Sequence, residues 1–186
     1  MDFLDKIREF RLDVIENGKV NYFKLASLTK SNDKSAAEKA SQLLKEFFSG
    51  EENYVNDMLG DSVQFSRYSV FGKNNVSITE KDENGRQREI AMEDKDGDNL
   101  PDNVYQYEKN EKGNTTKKIE DWNADSNPEI INEVEYYEDG STKHIERDYH
   151  DLNSNGIVGH EQWVEYDIMG NIINSGGKDP EDEFKH

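Results

Sequence analysis

Asp94-Lys95-Asp96-Gly97-Asp98-Asn99-Leu100-Pro101-Asp102 is the stretch around which the chain is read. Carboxylates stand at positions 1, 3, 5 and 9, between residues that let a backbone turn tightly. Like charges this close repel strongly if the loop stays compact and empty. A hard divalent cation removes that repulsion. Ca²⁺ accepts roughly six to eight oxygens at flexible geometry, and a backbone carbonyl can be one of them. The expected ligands are therefore Asp94, Asp96, Asp98, the carbonyl of Leu100, and Asp102. Gly97 and Asn99 are residue types that tolerate left-handed backbone angles. The bland reading is a solvated acidic turn without an ion, and repetition argues against it.

The same skeleton returns 27 residues later as Asp121-Trp122-Asn123-Ala124-Asp125-Ser126-Asn127-Pro128-Glu129. Asp121, Asn123, Asp125, Asn127 and Glu129 are its candidate ligands, again with proline at position 8. A third copy begins 30 residues further on, with Asp151, Asn153, Asn155, the carbonyl of Ile157, and Glu161 as candidates. The acidic candidates number four, three and two in the successive loops, so the first is expected to bind most tightly.

The first loop resembles the aspartate-rich loop of thrombospondin type 3 repeats and, more loosely, the first half of an EF-hand loop. It departs from the EF-hand at position 6, where Asn99 replaces glycine, and at position 12, where Tyr105 replaces glutamate. The third loop carries Gly156 at position 6 and is closer to the EF-hand and dockerin pattern. These resemblances imply calcium as the bound ion.

Around the loops the pattern is that of strands. Val63 and Phe65 alternate, as do Val76 and Ile78. Asn84-Gly85 reads as a two-residue hairpin turn with positive backbone angles at both positions. Gly85, Gly113, Gly140 and Gly170 recur at intervals of 28, 27 and 30. Tyr105-Gln106-Tyr107, Val134-Glu135-Tyr136 and Val164-Glu165-Tyr166 precede the later turns. Each unit reads as strand, acidic loop, strand and glycine turn. Tyr166-Asp167-Ile168-Met169-Gly170-Asn171 resembles the core of a YD (RHS-type) repeat, and Tyr136-Tyr137-Glu138-Asp139-Gly140 is similar but weaker. That resemblance implies strand–turn geometry only, since the family's shell needs many more copies.

Residues 1–60 read differently. Phe3, Ile7, Phe10 and Val14 mark an amphipathic helix over residues 2–17, ended by Asn17-Gly18. A second helix is expected over residues 21–28. Ser35-Ala36-Ala37-Glu38 reads as a capping box opening a third, with Leu43, Leu44, Phe47 and Phe48 apolar. Residues 51–59 suit a last short helix. The fold class is thus α+β: a helical region at 1–60, an antiparallel β-meander of about three repeats with acidic loops at 61–175, and a flexible tail at 176–186.

Composition limits the function. Of 186 residues, 32% are hydrophobic and 34% charged, so the core is thin. Net charge is −18, of which residues 1–58 carry −2 and the remainder −16. Such a field disfavours nucleic acid and anionic membranes as partners. Seventeen Tyr and Phe and two Trp argue against disorder. Absence of cysteine excludes disulfides and thiolate metal sites. His144, His150, His160 and His186 match no zinc spacing. Trp122 and Trp163 read as covers for the loop edges. No apolar run is long enough to span a membrane. The N-terminus mixes charges too early for a cleaved secretory signal, yet calcium loops favour a secreted setting.

No nucleotide fingerprint, nucleophile elbow or other catalytic constellation is present, and no catalytic residue is assigned. The expected function is a non-enzymatic calcium-binding structural or interaction protein, bacterial in style. The alternative is a secreted or injected effector or inhibitor whose N-terminal helices bind a protein partner, with calcium incidental.

Overall fold

The computed structural model describes residues 2–150 and 158–178. Helices come first: α1 (Phe3–Phe10), α2 (Tyr22–Leu28), α3 (Lys34–Ser49) and α4 (Glu52–Leu59). A two-stranded hairpin, β1 (Ile15–Glu16) and β2 (Lys19–Val20), separates α1 from α2. Then come β3 (Val63–Val70), β4 (Lys73–Lys81), β5 (Gln87–Asp94), β6 (Asn103–Lys109), β7 (Thr115–Asp121), β8 (Ile130–Tyr136), β9 (Thr142–His150), β10 (Val158–Tyr166) and β11 (Ile172–Lys178). From β3 to β11 each strand pairs antiparallel with the next, forming one nine-stranded sheet in chain order. The fold is α+β, with the helices at the N-terminal end and a large antiparallel sheet after them.

The first helix is shorter than its apolar spacing predicts. It stops at Phe10, where Arg11 turns left-handed at φ 56°. Arg11 N–H then bonds the Arg8 carbonyl and Leu12 N–H bonds the Ile7 carbonyl, which completes a Schellman cap. Leu12 and Val14 are buried beyond this bend, so the apolar series continues while the helix does not. Asn17 and Gly18, at φ 50° and 77°, form the tight turn of the β1–β2 hairpin rather than a helix stop. Asn84-Gly85 does the reverse, for only Gly85 has a positive φ. Asp82 and Arg86 close a three-residue loop around it, a type I turn ending in a left-handed glycine. The cap of α3 is Asp33, whose carboxylate accepts from Ser35 N at 3.0 Å and Ala36 N at 3.2 Å. Ser35 therefore lies inside the first turn and is not the capping residue.

Strand register decides which side chains meet the helices. Phe65, Ile78, Ile90, Gln106, Ile119 and Ile131 lie opposite one another in sequence across the sheet. Val76, Met92 and Val104 form the neighbouring row on the same face. Of these, Phe65, Val76, Ile78, Ile90, Met92 and Val104 share one hydrophobic cluster with Phe3, Ile7, Leu43, Leu44 and Phe47, and Ile119 packs against it. Phe47 sits at its centre, with ring centroids 5.1 Å from Phe3 and 6.1 Å from Phe65. Arginines of the sheet tie the layers together. Arg67 donates to the carbonyls of Phe47 at 2.8 Å and Gly50 at 3.0 Å, satisfying the end of α3. Arg88 grips Glu80 through two hydrogen bonds and donates to the Val20 carbonyl at 3.1 Å.

Helical cover ends near β7. Among the described residues of β8 to β11, no side chain is fully buried. Ile172 and Ile173 on the edge strand β11 are exposed. Residues 176–178, placed in the tail by the sequence, complete β11.

Because Phe47 packs on both layers, Phe47→Ala should lower unfolding free energy by about 3–5 kcal/mol. In urea unfolding, helical ellipticity and tryptophan fluorescence should move to the lower midpoint together. Both tryptophans belong to the sheet half, so a shift in ellipticity alone would show two independent units.

Candidate metal centre in the acidic loops

The meander puts turns at one end of the sheet and acidic loops at the other. Asp82–Arg86, Asn110–Asn114, Tyr137–Ser141 and Asp167–Asn171 are closed by the same two backbone hydrogen bonds, at 2.8–3.1 Å. At the opposite end lie residues 95–102 and 122–129.

The two described loops share most of their hydrogen bonds and differ in which amides reach the first aspartate. Asp102 N–H donates to the Glu93 carbonyl at 2.8 Å, and Glu129 N–H to the Glu120 carbonyl at 2.8 Å. Lys95 N–H donates to the Asp102 carboxylate at 2.6 Å, as Trp122 N–H does to Glu129 at 2.6 Å. Asp94 accepts from Gly97 N at 2.7 Å and Asn99 N at 3.1 Å. Asp121 accepts from Asp125 N at 3.2 Å and Ser126 N at 2.9 Å. Asp98 and Asp125 each accept from the amide two residues on, at 2.8 Å. Asx turns thus fold both loops, and positions 4 and 6 are left-handed in each: Gly97 and Asn99, then Ala124 and Ser126.

In the first loop, carboxylate oxygens of Asp94, Asp96 and Asp102 lie within 4.8 Å of one another. Asp94 is buried, Asp96 exposed and Asp102 half-buried. Among the described residues no lysine, arginine or histidine forms an ion pair with any of them; Lys95 turns its ammonium to Asn103 at 2.8 Å instead. Asp98 stands outside the trio. A carboxylate has more lone pairs than these backbone donors fill, so three acids retain free acceptors toward a common point. Leu100 is half-buried and packs against the hydrophobic cluster, which anchors the loop.

The second loop is drier. Asp121 is fully buried and Glu129 nearly so. Burial raises the Asp121 carboxyl above its usual range, against the opposing pull of the Ser126 and Asp125 amides. Burial likewise raises Glu129, opposed by its bond from Trp122 N–H. Its acidic side chains do not converge as those of the first loop do, among the described residues. Ala124 belongs to the hydrophobic cluster, and the Lys30 ammonium reaches the Asn123 carbonyl. This loop is therefore held against the helical layer. Trp122 does not cover the loop edge: Asp121 faces the helices, so its neighbour faces out, exposed, with its indole N–H on Glu120 at 2.9 Å.

Of the third-loop candidates, Asp151, Asn153, Asn155 and Ile157 lie outside the described residues. Glu161 belongs to β10, where its carboxylate comes within 4.8 Å of Glu146 and Asp148. Sequence reasoning missed that trio, because Glu146 and Asp148 meet Glu161 only through the β9–β10 register. Searches of family models, curated proteins and solved structures give no match to this chain.

The raised carboxyls define a pH test. A carboxyl whose folded pKa exceeds its unfolded value holds its proton longer when folded. It therefore contributes relative stability at low pH and loses it as pH rises through the raised value. In chelator, the stability of the wild type relative to Asp121→Asn should fall between the ordinary carboxylate range and neutrality. Urea midpoints for both proteins across that range measure it. A difference that stays constant would contradict the burial argument.

Proposed function

We propose that the protein is a non-enzymatic calcium-binding structural or interaction module, with the first acidic loop as its principal site. The observation that carries this reading is the trio Asp94, Asp96 and Asp102, gathered within 4.8 Å without a cationic side chain among the described residues. Oxygen-only donors on a pliable loop suit Ca²⁺ better than Mg²⁺, which demands strict octahedral geometry and keeps its water. The second loop shares the backbone pattern, which supports reading strand, acidic loop, strand and glycine turn as a repeated unit. Its buried, less convergent donors make it the weaker site. The resemblance to thrombospondin type 3 and EF-hand-like loops points to the same ion, and a secreted setting would supply it.

The effector or inhibitor reading needs an available apolar stripe on the N-terminal helices. Phe3, Ile7, Leu43, Leu44 and Phe47 are buried against one another and the sheet, so that surface is already used. Among the described residues no helix is long and apolar enough to cross a membrane.

With a dissociation constant of about 10 μM, 1 mM free calcium adds roughly 2.7 kcal/mol at one site. For a chain of this size that raises the melting temperature by roughly 5–10 °C. Thermal melts in calcium, magnesium and chelator test it. Asp94→Ala should remove most of the calcium increment, and Asp98→Ala should remove less, since Asp98 lies outside the trio. Identical melting temperatures in calcium and chelator would contradict the proposal.

A further inference from the structure

Beyond the helical cover, β9 and β10 bring three carboxylates onto one face of the sheet. Asp148 lies directly opposite Glu161, and Glu146 directly opposite Trp163. Like charges directly opposite across antiparallel strands destabilise the pair. Oxygens of Glu146, Asp148 and Glu161 nevertheless all lie within 4.8 Å of one another. On the β8 side the flanking strand brings no relief, and on the β11 side Lys178 is the register partner of Glu161. Ile131 is beside Asp148, and Glu133 beside Glu146 already has its own partner in Lys117 at 2.5 Å. Within ion-pair distance of the trio there is, among the described residues, only His144, 3.8 Å from Glu146.

A separate observation points to a missing ligand. Asp148 Oδ1 has less than 1 Å² of exposed area and no hydrogen-bond partner. Among the described residues it is the one buried side-chain oxygen or nitrogen left so. Asp148 as a whole is half-buried, yet this one carboxylate oxygen is shut away from water without a donor, and polar atoms so placed are ordinarily hydrogen-bonded or coordinate a metal. The Asx turns that satisfy Asp94 and Asp121 have no counterpart here, since Asp148 is mid-strand and its neighbours' amides belong to the sheet.

We propose that Glu146, Asp148 and Glu161 form a second kind of cation site, built on the sheet face rather than in a loop and suited to a hard cation of the calcium class. Three carboxylates supply the oxygens that such an ion needs, and water completes the shell from the uncovered side. This site does not depend on the acidic loops. It explains how a strand pair with opposed acids stays in register where no helix covers it. Glu161, predicted as a loop ligand, serves here with two strand residues instead.

Trp163 makes the site observable, because it lies opposite Glu146 and can sensitise a bound lanthanide. The test uses the full chain carrying Trp122→Phe, so that Trp163 is the remaining indole, titrated with Tb³⁺ and then with competing Ca²⁺. Sensitised emission should appear, should be displaced by calcium, and should be lost in Asp148→Asn and in Glu161→Gln, with folding checked by circular dichroism. It should persist in an Asp94→Asn, Asp121→Asn background, which disables the loops. Emission that is absent, or unchanged by Asp148→Asn and Glu161→Gln, would overturn the site while leaving the loop proposal standing. Lys178 is the register partner of Glu161 on β11. If emission appears only after Lys178→Met, the lysine neutralises the trio and the proposal fails.

Discussion

A buried carboxylate at the end of a hydrophobic strand is the constraint on which the rest depends. Side chains of a strand alternate between faces, so Ile90, Met92 and Asp94 share one face, as do Ile119 and Asp121. The helices cover that face. The strand that delivers Ile90 and Met92 to the core must therefore also deliver Asp94 to its rim, with 1% of its surface exposed. Moving the register by one residue would expose the carboxylate and the isoleucine together. The loops answer this by turning backbone amides inward, at Gly97 and Asn99 in one and at Asp125 and Ser126 in the other. Those bonds stabilise one buried charge. They do nothing for the repulsion added when Asp96 and Asp102 close in, and a cation would remove it.

The sheet outlives its cover. Four helices and a short hairpin bury strands as far as β7, and beyond that the same architecture continues with half-buried or exposed side chains. Hydrophobic burial is the main source of stability in a domain, so the far strands must hold their register by other means. Some are visible: Lys143 pairs with Glu135 at 3.0 Å, Arg147 with Asn132 at 2.8 Å, and the Tyr137 hydroxyl donates to the Tyr166 carbonyl at 2.8 Å. Exposed pairs of this kind contribute little, because water screens them. The cation proposed between β9 and β10 would act where packing is thinnest.

Much of this was legible in the chain. The change from 3.6-residue to two-residue periodicity after residue 60 separated helices from sheet, and the glycine spacing located the four like turns. Spacing of aspartates picked out residues that the first loop does bring together. What stayed hidden depended on backbone conformation and register. Arg11 ends a helix from a left-handed angle that glycine usually occupies, so no breaker announced the end. The two Asn-Gly pairs exchanged roles because turn type follows the strands being joined, not the dipeptide alone. Ala124 at φ 50° shows the same limit: a methyl group drawn into the core outweighs the preference for glycine there. Asp98 fits the ligand spacing yet turns its carboxylate to the Leu100 amide.

Hydrogen exchange in calcium and in chelator tests most directly the claim that a cation completes the first loop. Amides of Gly97 and Asn99 point at Asp94, and their protection depends on that carboxylate staying in place. With calcium they should exchange more slowly. Because the loop is anchored to the shared core through Leu100, amides of β5 and of α3 near Phe47 should gain protection as well. Equal exchange at Gly97 and Asn99 in calcium and in chelator would contradict the account.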